Sequence, residues 1–221
     1  RNCSRPMALK DLNLMCEQPK QEMVRTLHDL LLSSDLRELP DANPTVTGIT
    51  DYSRAVRQGD LFVAVRGEKC DGRLYYGDAV RAGARALVGY GAAPSFPGVV
   101  FVSVLDDRAA ASRLAAAFHG RPAERLKVFG VTGTNGKTTT TYIIESILEA
   151  AMPPRAVFGT IRWSTGARVE SSSLTTPGPM VLQSLLAEAL ASGRKAVAME
   201  VSSHALCQRR VDGMRFDTAV I

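Results

Sequence analysis

One run near the middle of the chain, Gly130-Val-Thr-Gly-Thr-Asn-Gly-Lys-Thr-Thr-Thr-Thr141, constrains the fold more than any other. An apolar stretch that reads as a strand, Lys127–Val131, leads into it, and a stretch that reads as a helix, Thr138–Ala150, follows. A glycine-rich turn that leaves a strand and enters a helix is the context a phosphate loop requires. Gly133 and Gly136 can turn tightly with no Cβ in the way of an anion, and amides at the helix start can point at phosphate oxygens. Lys137 is placed to set a cation on the β and γ phosphates, and Thr138 to offer its hydroxyl to Mg2+. The spacing departs from the general G-x-x-x-x-G-K-[ST] pattern. The first glycine falls due at Val131, with Gly130 one residue early and Gly133 two late. The competing reading is a glycine-rich turn ahead of an ordinary helix.

Around this loop the chain alternates. Ala156–Phe158 reads as a strand, Val181–Ser192 as a helix stopped by Gly193, Lys195–Met199 as a strand, and Thr218–Ile221 as the start of another. Such alternation implies an α/β fold with a parallel sheet and helices on its faces. Upstream, Met23–Ser33 reads as a short amphipathic helix. Leu61–Val65, Ala86–Val88 and Val99–Val104 read as strands, Tyr75–Arg81 as a helix closed by Gly83, and Arg108–His119 as a helix capped by Asp106 or Asp107. Gly120 and Pro122 end that helix and mark a boundary. We therefore expect a small N-terminal α/β domain over residues 23–121 and a second, phosphate-loop parallel-sheet domain over 122–221. Residues 1–22 read as an extension of uncertain origin. A sheet that stops at Ile221 would leave an open edge, so a truncated second domain is expected.

Composition narrows the function. The 221 residues are 45% hydrophobic and 22% charged, which suits a packed core. The net charge of +5 fits anionic small molecules. With 6% aromatics and no basic run interleaved with them, no nucleic-acid partner is expected. No apolar run reaches the roughly 18 residues of a membrane span. Cys3, Cys16, Cys70 and Cys207 form no CxxC pair and have no histidine at zinc spacing, so free thiols in a reducing cytoplasm are expected.

The second chemical signal is Glu200, delivered at the end of the strand Lys195–Met199. Ligands of open parallel sheets bind beyond the carboxyl ends of the strands, so Glu200 and Lys137 should share one edge. A carboxylate beside phosphates calls for a cation, and Mg2+ is the natural one. Ser202, Ser203 and His204 follow, but no G-x-S-x-G elbow surrounds them and the neighbouring histidine is in no special position to activate a serine.

Four stretches together resemble one family. Thr-Gly-Thr-Asn-Gly-Lys-Thr resembles the variant phosphate loop of the Mur ligases. Met199-Glu-Val-Ser-Ser-His-Ala-Leu206, with Gln208 and Arg210, resembles the signature of the MurE type, and Thr175-Thr176-Pro177 resembles its substrate loop. Ser53-Arg54, Gly59-Asp-Leu-Phe-Val-Ala64, Gly67 and Asp71-Gly72 resemble its N-terminal uridine-binding domain. The resemblance implies an ATP-dependent ligase of peptidoglycan synthesis. It would add meso-diaminopimelate, or L-lysine, to UDP-N-acetylmuramoyl-L-alanyl-D-glutamate through an acyl phosphate. It implies that Thr134, Asn135, Gly136, Lys137, Thr138, Thr139 and Thr140 cradle ATP, that Thr138 and Glu200 ligate Mg2+, and that Lys137 and Glu200 serve the chemistry. Ser53, Glu68, Lys69, Cys70 and Asp71 would contact the UDP end. Thr175, Thr176, Ser202, Gln208 and Arg210 would contact the muramyl dipeptide. A cytoplasmic monomer is implied. In full-length relatives a carbamylated lysine and a third domain lie beyond these motifs, so this chain by itself is expected not to turn over. The alternative is a non-catalytic MurE-like scaffold. Leu174 stands where some relatives have asparagine, and Tyr52 where many have aspartate.

Overall fold

The computed structural model describes residues 23–34, 36, 39–67 and 70–221. The extension over residues 1–22, Glu68 and Lys69 therefore lie outside the described residues. The chain forms two compact units, one holding residues 23–29 and 39–107, the other 30–34, 36 and 108–221.

In the first, β1 (Arg25–Thr26) pairs antiparallel with β2 (Thr45–Val46), and the helix that follows β1, α1 (Leu27–Ser33), runs on into the second unit. The helix expected from Met23 thus starts at Leu27, because the residues before it are drawn into a strand pair that periodicity cannot show. A four-stranded sheet follows in the order β3 (Ile49–Thr50), β4 (Leu61–Val63), β5 (Ala86–Gly89), β6 (Val100–Ser103), parallel throughout. Helix α2 (Tyr76–Arg81) crosses between β4 and β5. Gly83, at φ +106°, ends it as expected, with the Ala84 amide donating to Ala79 O.

Phe62, Ala64, Ala79 and Leu87 are buried in this unit's core around Tyr76, whose ring meets Phe62 and Phe101 edge-on at 6.4 and 5.8 Å. Burial pushes the Tyr76 phenol up from 10.0 to about 12. Its hydroxyl finds no hydrogen-bond partner among the described residues. A buried donor without a partner costs stability, so Tyr76→Phe is expected to be neutral or to stabilise by about 0.5–1 kcal/mol. A loss of more than about 1 kcal/mol in urea unfolding would show that the hydroxyl has a partner. Gly89 makes room for this phenol, since a Cβ there would lie 1.9 Å from the hydroxyl oxygen.

The second unit continues with α3 (Asp107–Phe118), then β7 (Lys127–Val131), α4 (Lys137–Ala151), β8 (Arg155–Phe158), β9 (Arg162–Ser164), β10 (Val169–Ser171), α5 (Pro179–Ala191), β11 (Ala196–Glu200), α6 (Ser203–Cys207) and β12 (Thr218–Val220). Its six strands lie in the order β10-β9-β8-β11-β7-β12. β8, β11, β7 and β12 are parallel, and β9 and β10 add an antiparallel edge. All five residues of β11 are buried, as a central strand covered on both faces requires. Its period of two is visible in the packing. Val197 and Met199 join Leu182, Leu185, Leu186 and Ala189 of α5, whereas Ala196 and Ala198 turn to Leu148 of α4 and Val157. The hairpin β9–β10 and the helix α6 were not foreseen, and β11 runs one residue further than expected, taking Glu200 into the strand.

Gly130, one residue early for a phosphate-loop glycine, has a packing role. A Cβ there would come within 2.7 Å of the Phe216 ring. Cys207 is an exposed free thiol, as expected. Cys70, half-exposed, is disulfide-bonded, which corrects the expectation of a free thiol at that residue.

Candidate functional site

The register of three parallel strands builds the site. Glu200 of β11 lies opposite Val131 of β7, the residue before the loop, and Met199 lies opposite Phe158, the last residue of β8. The loop 132–136, the Glu200 carboxylate and the turn Gly159-Thr160 therefore leave the sheet at the same carboxyl edge. The loop turns on Gly133 at φ +132° and Gly136 at φ +79°, with Gly136 in left-handed geometry at the N-cap of α4. Thr134, Asn135 and Gly136 are exposed on it, as is Thr139 on the first turn of α4, where Thr140 is half-buried. Lys137 curls back over the loop, its Nζ donating to Gly133 O at 2.8 Å and Thr134 O at 3.2 Å.

Glu200 is 1% exposed and fully engaged. Its Oε2 accepts from the Thr138 hydroxyl at 3.0 Å and from the Thr160 hydroxyl at 3.0 Å, and its Oε1 accepts from the Thr160 amide at 2.9 Å. Gly159 clears space for the carboxylate, since a Cβ there would lie 2.4 Å from Oε1. Thr138 and Glu200 thus present two hard oxygen donors side by side at the mouth of the loop. Among the described residues no cluster of three His, Cys, Asp or Glu exists to enclose a metal. The donor set fits a small hard cation that keeps most of its waters and shares phosphate oxygens, which is the habit of Mg2+.

The expected substrate loop joins the same edge. Thr175 Oγ1 lies 3.1 Å from Thr160 Oγ1. Thr176 is buried, its hydroxyl donating to Glu200 O and accepting from the Ser202 amide, both at 3.0 Å. Thr176→Val removes this clip and is expected to cost about 2 kcal/mol by leaving buried backbone groups unpaired. An unchanged unfolding midpoint would show that water replaces it. Ser202 Oγ caps α6 by accepting from the Ala205 amide at 3.1 Å, so it is occupied as a cap rather than poised as a nucleophile. Arg210 donates to Thr176 O at 2.7 Å and forks onto Gln208 Oε1 at 3.0 and 2.7 Å. The structure therefore brings Lys137, Thr138, Glu200, Thr175, Thr176, Ser202, Gln208 and Arg210 into one unit. Thr160 and Gly159 were missed. Their only sequence signal is their place just past the short strand Ala156–Phe158.

The remaining candidates belong to the first unit. Ser53 is buried at the start of a 3-10 turn, Ser53–Ala55. Asp71 caps the turn Gly72–Tyr75, accepting from the Arg73 amide at 3.0 Å, and the hydrogen-bonded Arg73 guanidinium holds its carboxyl below the usual carboxylate range.

A parallel sheet with this loop and an acidic strand end beside it defines a phosphate-loop α/β fold. Residues 131–221 match the Mur ligase middle domain, and residues 45–119 match the Mur ligase family catalytic domain. The chain belongs to the Mur ligase family. It is 41% identical over 200 residues to UDP-N-acetylmuramoyl-L-alanyl-D-glutamate--2,6-diaminopimelate ligase of Geobacter sulfurreducens, covering 90% of this chain and 38% of that protein. It is 46% identical over 207 residues to the protein of the same name from Synechococcus sp., covering 90% of this chain and 41% of that one. The chain thus spans about two fifths of the length of these relatives. A solved structure of a ligase of that name shares the fold at TM-score 0.70 and 24% identity, covering 88% of this chain and 40% of its own.

Proposed function

We propose that the chain is the nucleotide-sugar-binding domain and the leading part of the ATP-binding domain of a ligase. The ligase extends UDP-N-acetylmuramoyl-L-alanyl-D-glutamate by meso-diaminopimelate, with L-lysine as the competing third residue. In this reading the domain division follows the helix stop at Gly120 and Pro122, at residues 121 and 122, one helix beyond the break at 107/108 between the compact units. The observation that carries this reading is the contact of Thr138 with Glu200 beside Lys137 at the carboxyl edge of the sheet. Identity above 40% to relatives named for this reaction supports the substrate class.

In this reading the amides of residues 134–140 cradle the ATP phosphates, and Lys137 swings from its two loop carbonyls onto the transferring phosphoryl group. Thr138 and Glu200 would hold Mg2+, which would supply neutralisation of the phosphate charge. A substrate carboxylate takes the γ-phosphoryl group as ADP leaves, and an amine then attacks the acyl carbon, loses a proton and expels phosphate as the amide forms. The rigid Thr176 clip orients Thr175 toward the peptide end of the substrate, where Ser202, Gln208 and Arg210 also lie. Arg210 is the group suited to pair with a carboxylate. Ser53 and residues 68–71 contact the uridine diphosphate end. The protein works as a cytoplasmic monomer. No helix among the described residues is long and apolar enough to cross a membrane.

Thermal unfolding with ligands tests this. MgATP and the UDP-sugar dipeptide are each expected to raise the melting temperature with concentration. A chain whose melting responds to neither is a scaffold and not a ligase module.

A further inference from the structure

The hydroxyl of Thr160 occupies a position no motif assigns. It lies between the cation-side carboxylate and the substrate-loop threonine, 3.0 Å from Glu200 Oε2 and 3.1 Å from Thr175 Oγ1. A threonine has one hydroxyl hydrogen. The carboxylate can only accept, so that hydrogen goes to Glu200 and Thr175 in turn donates to Thr160. The Thr138 hydroxyl reaches the same Oε2 from the other side. The result is a directed chain, Thr175 to Thr160 to Glu200, meeting the loop threonine at the carboxylate. Glu200 Oε1 is fixed separately by the Thr160 amide. One residue therefore secures both oxygens of a buried carboxylate.

We infer that Thr160 is a positioning residue that holds Glu200 for the cation and couples cation binding to the state of Thr175. The Thr160 hydrogen stays on Glu200 when a cation draws on the carboxylate, and Thr175 donating to Thr160 strengthens that bond. A ligand such as a carboxylate or carbonyl that takes the Thr175 hydrogen alters this support, so the two events are coupled, and by linkage the coupling is reciprocal. Thr160 is itself exposed, so a change at its hydroxyl does not disturb a core.

The inference rests on the cation-dependent nucleotide reading, and the test separates the two. ATP binding to the 221-residue chain is measured by calorimetry across a Mg2+ series for the native protein, Thr160→Val, Thr160→Ser, Thr175→Val and the Thr160→Val/Thr175→Val pair. Thr160→Val keeps the amide and loses the hydroxyl. It is expected to raise the Mg2+ midpoint about tenfold, as loss of a hydrogen bond to a charged group does. Thr160→Ser should return the midpoint to within about twofold of the native value, since the hydroxyl is restored. The melting temperature should fall by a few degrees in Thr160→Val, because the buried Glu200 carboxylate loses a donor, and recover in Thr160→Ser, while ATP affinity in EDTA changes far less than the Mg2+ midpoint. Thr175→Val should shift the midpoint about twofold alone and not at all in the Thr160→Val background, the non-additivity of groups in one network. An unshifted midpoint in Thr160→Val overturns the inference while native Mg2+-dependent binding keeps the functional reading. A fall in EDTA affinity and melting temperature, without rescue by serine, makes Thr160 merely structural. A Thr175→Val effect that persists in the double variant removes the coupling. If the native chain binds ATP with no Mg2+ dependence, the reading of the site and the inference fall together.

Discussion

Lys137→Ala is expected to weaken ATP binding by roughly 100-fold, about 2.7 kcal/mol, while the fold remains intact. The reason is local. The Lys137 ammonium is half-buried against two carbonyls of its own loop, Gly133 O and Thr134 O. It already stands within the arc that the glycines at φ +132° and +79° open toward an anion. Removing it deletes the one compact positive charge on the loop. Backbone amides remain, so weak phosphate affinity survives. Two loop hydrogen bonds are lost at a partly exposed position, worth about 1 kcal/mol or less to stability. Calorimetry paired with a melting curve separates the two quantities. Native-like ATP affinity in the variant would mean that this loop is a glycine-rich turn and not a phosphate site.

Glu145→Ala carries the second large effect, on stability. Glu145 is buried on α4, one side chain beneath two arginines. Arg155 Nη2 reaches its Oε1 at 3.1 Å, and Arg162 Nη2 reaches both oxygens at 2.9 and 3.1 Å. Arg155 has a second partner in Glu149 at 2.8 Å, and Arg162 lies 5.4 Å over the Tyr142 ring. The pair ties the phosphate-loop helix to β8 and β9. Deleting the carboxylate leaves two guanidinium groups facing each other with too little negative charge between them. The expected cost is about 3 kcal/mol, a melting-temperature fall of roughly 10 °C. Glu145→Gln keeps an acceptor and is expected to lose less. A fall of under about 2 °C for the alanine variant would show that water repays the arginines fully.

Much of this protein is legible locally. The loop could be placed because its parts are consecutive: an apolar strand, glycines that alone tolerate the turn, and a lysine and threonine at the helix start. Glu200 could be placed because a buried strand that ends in a carboxylate must deliver it at the sheet's edge. The Gly83 stop was legible for the same reason, as a backbone requirement confined to a few residues. The short antiparallel hairpin was not, because Arg162–Ser164 and Val169–Ser171 alternate over only three residues each, too few for a period to show.

What the tertiary structure alone decided is which separated pieces meet. Strand order sets β8 beside β11 and β11 beside β7, and only that order brings Thr160 onto Glu200 from 40 residues away. Phe216 explains Gly130 in the same manner, and two arginines from later strands explain a buried Glu145. A motif records what neighbouring residues require of one backbone. Contacts made by crossover connections depend on how helices pack on the sheet, and no short window of sequence contains that information.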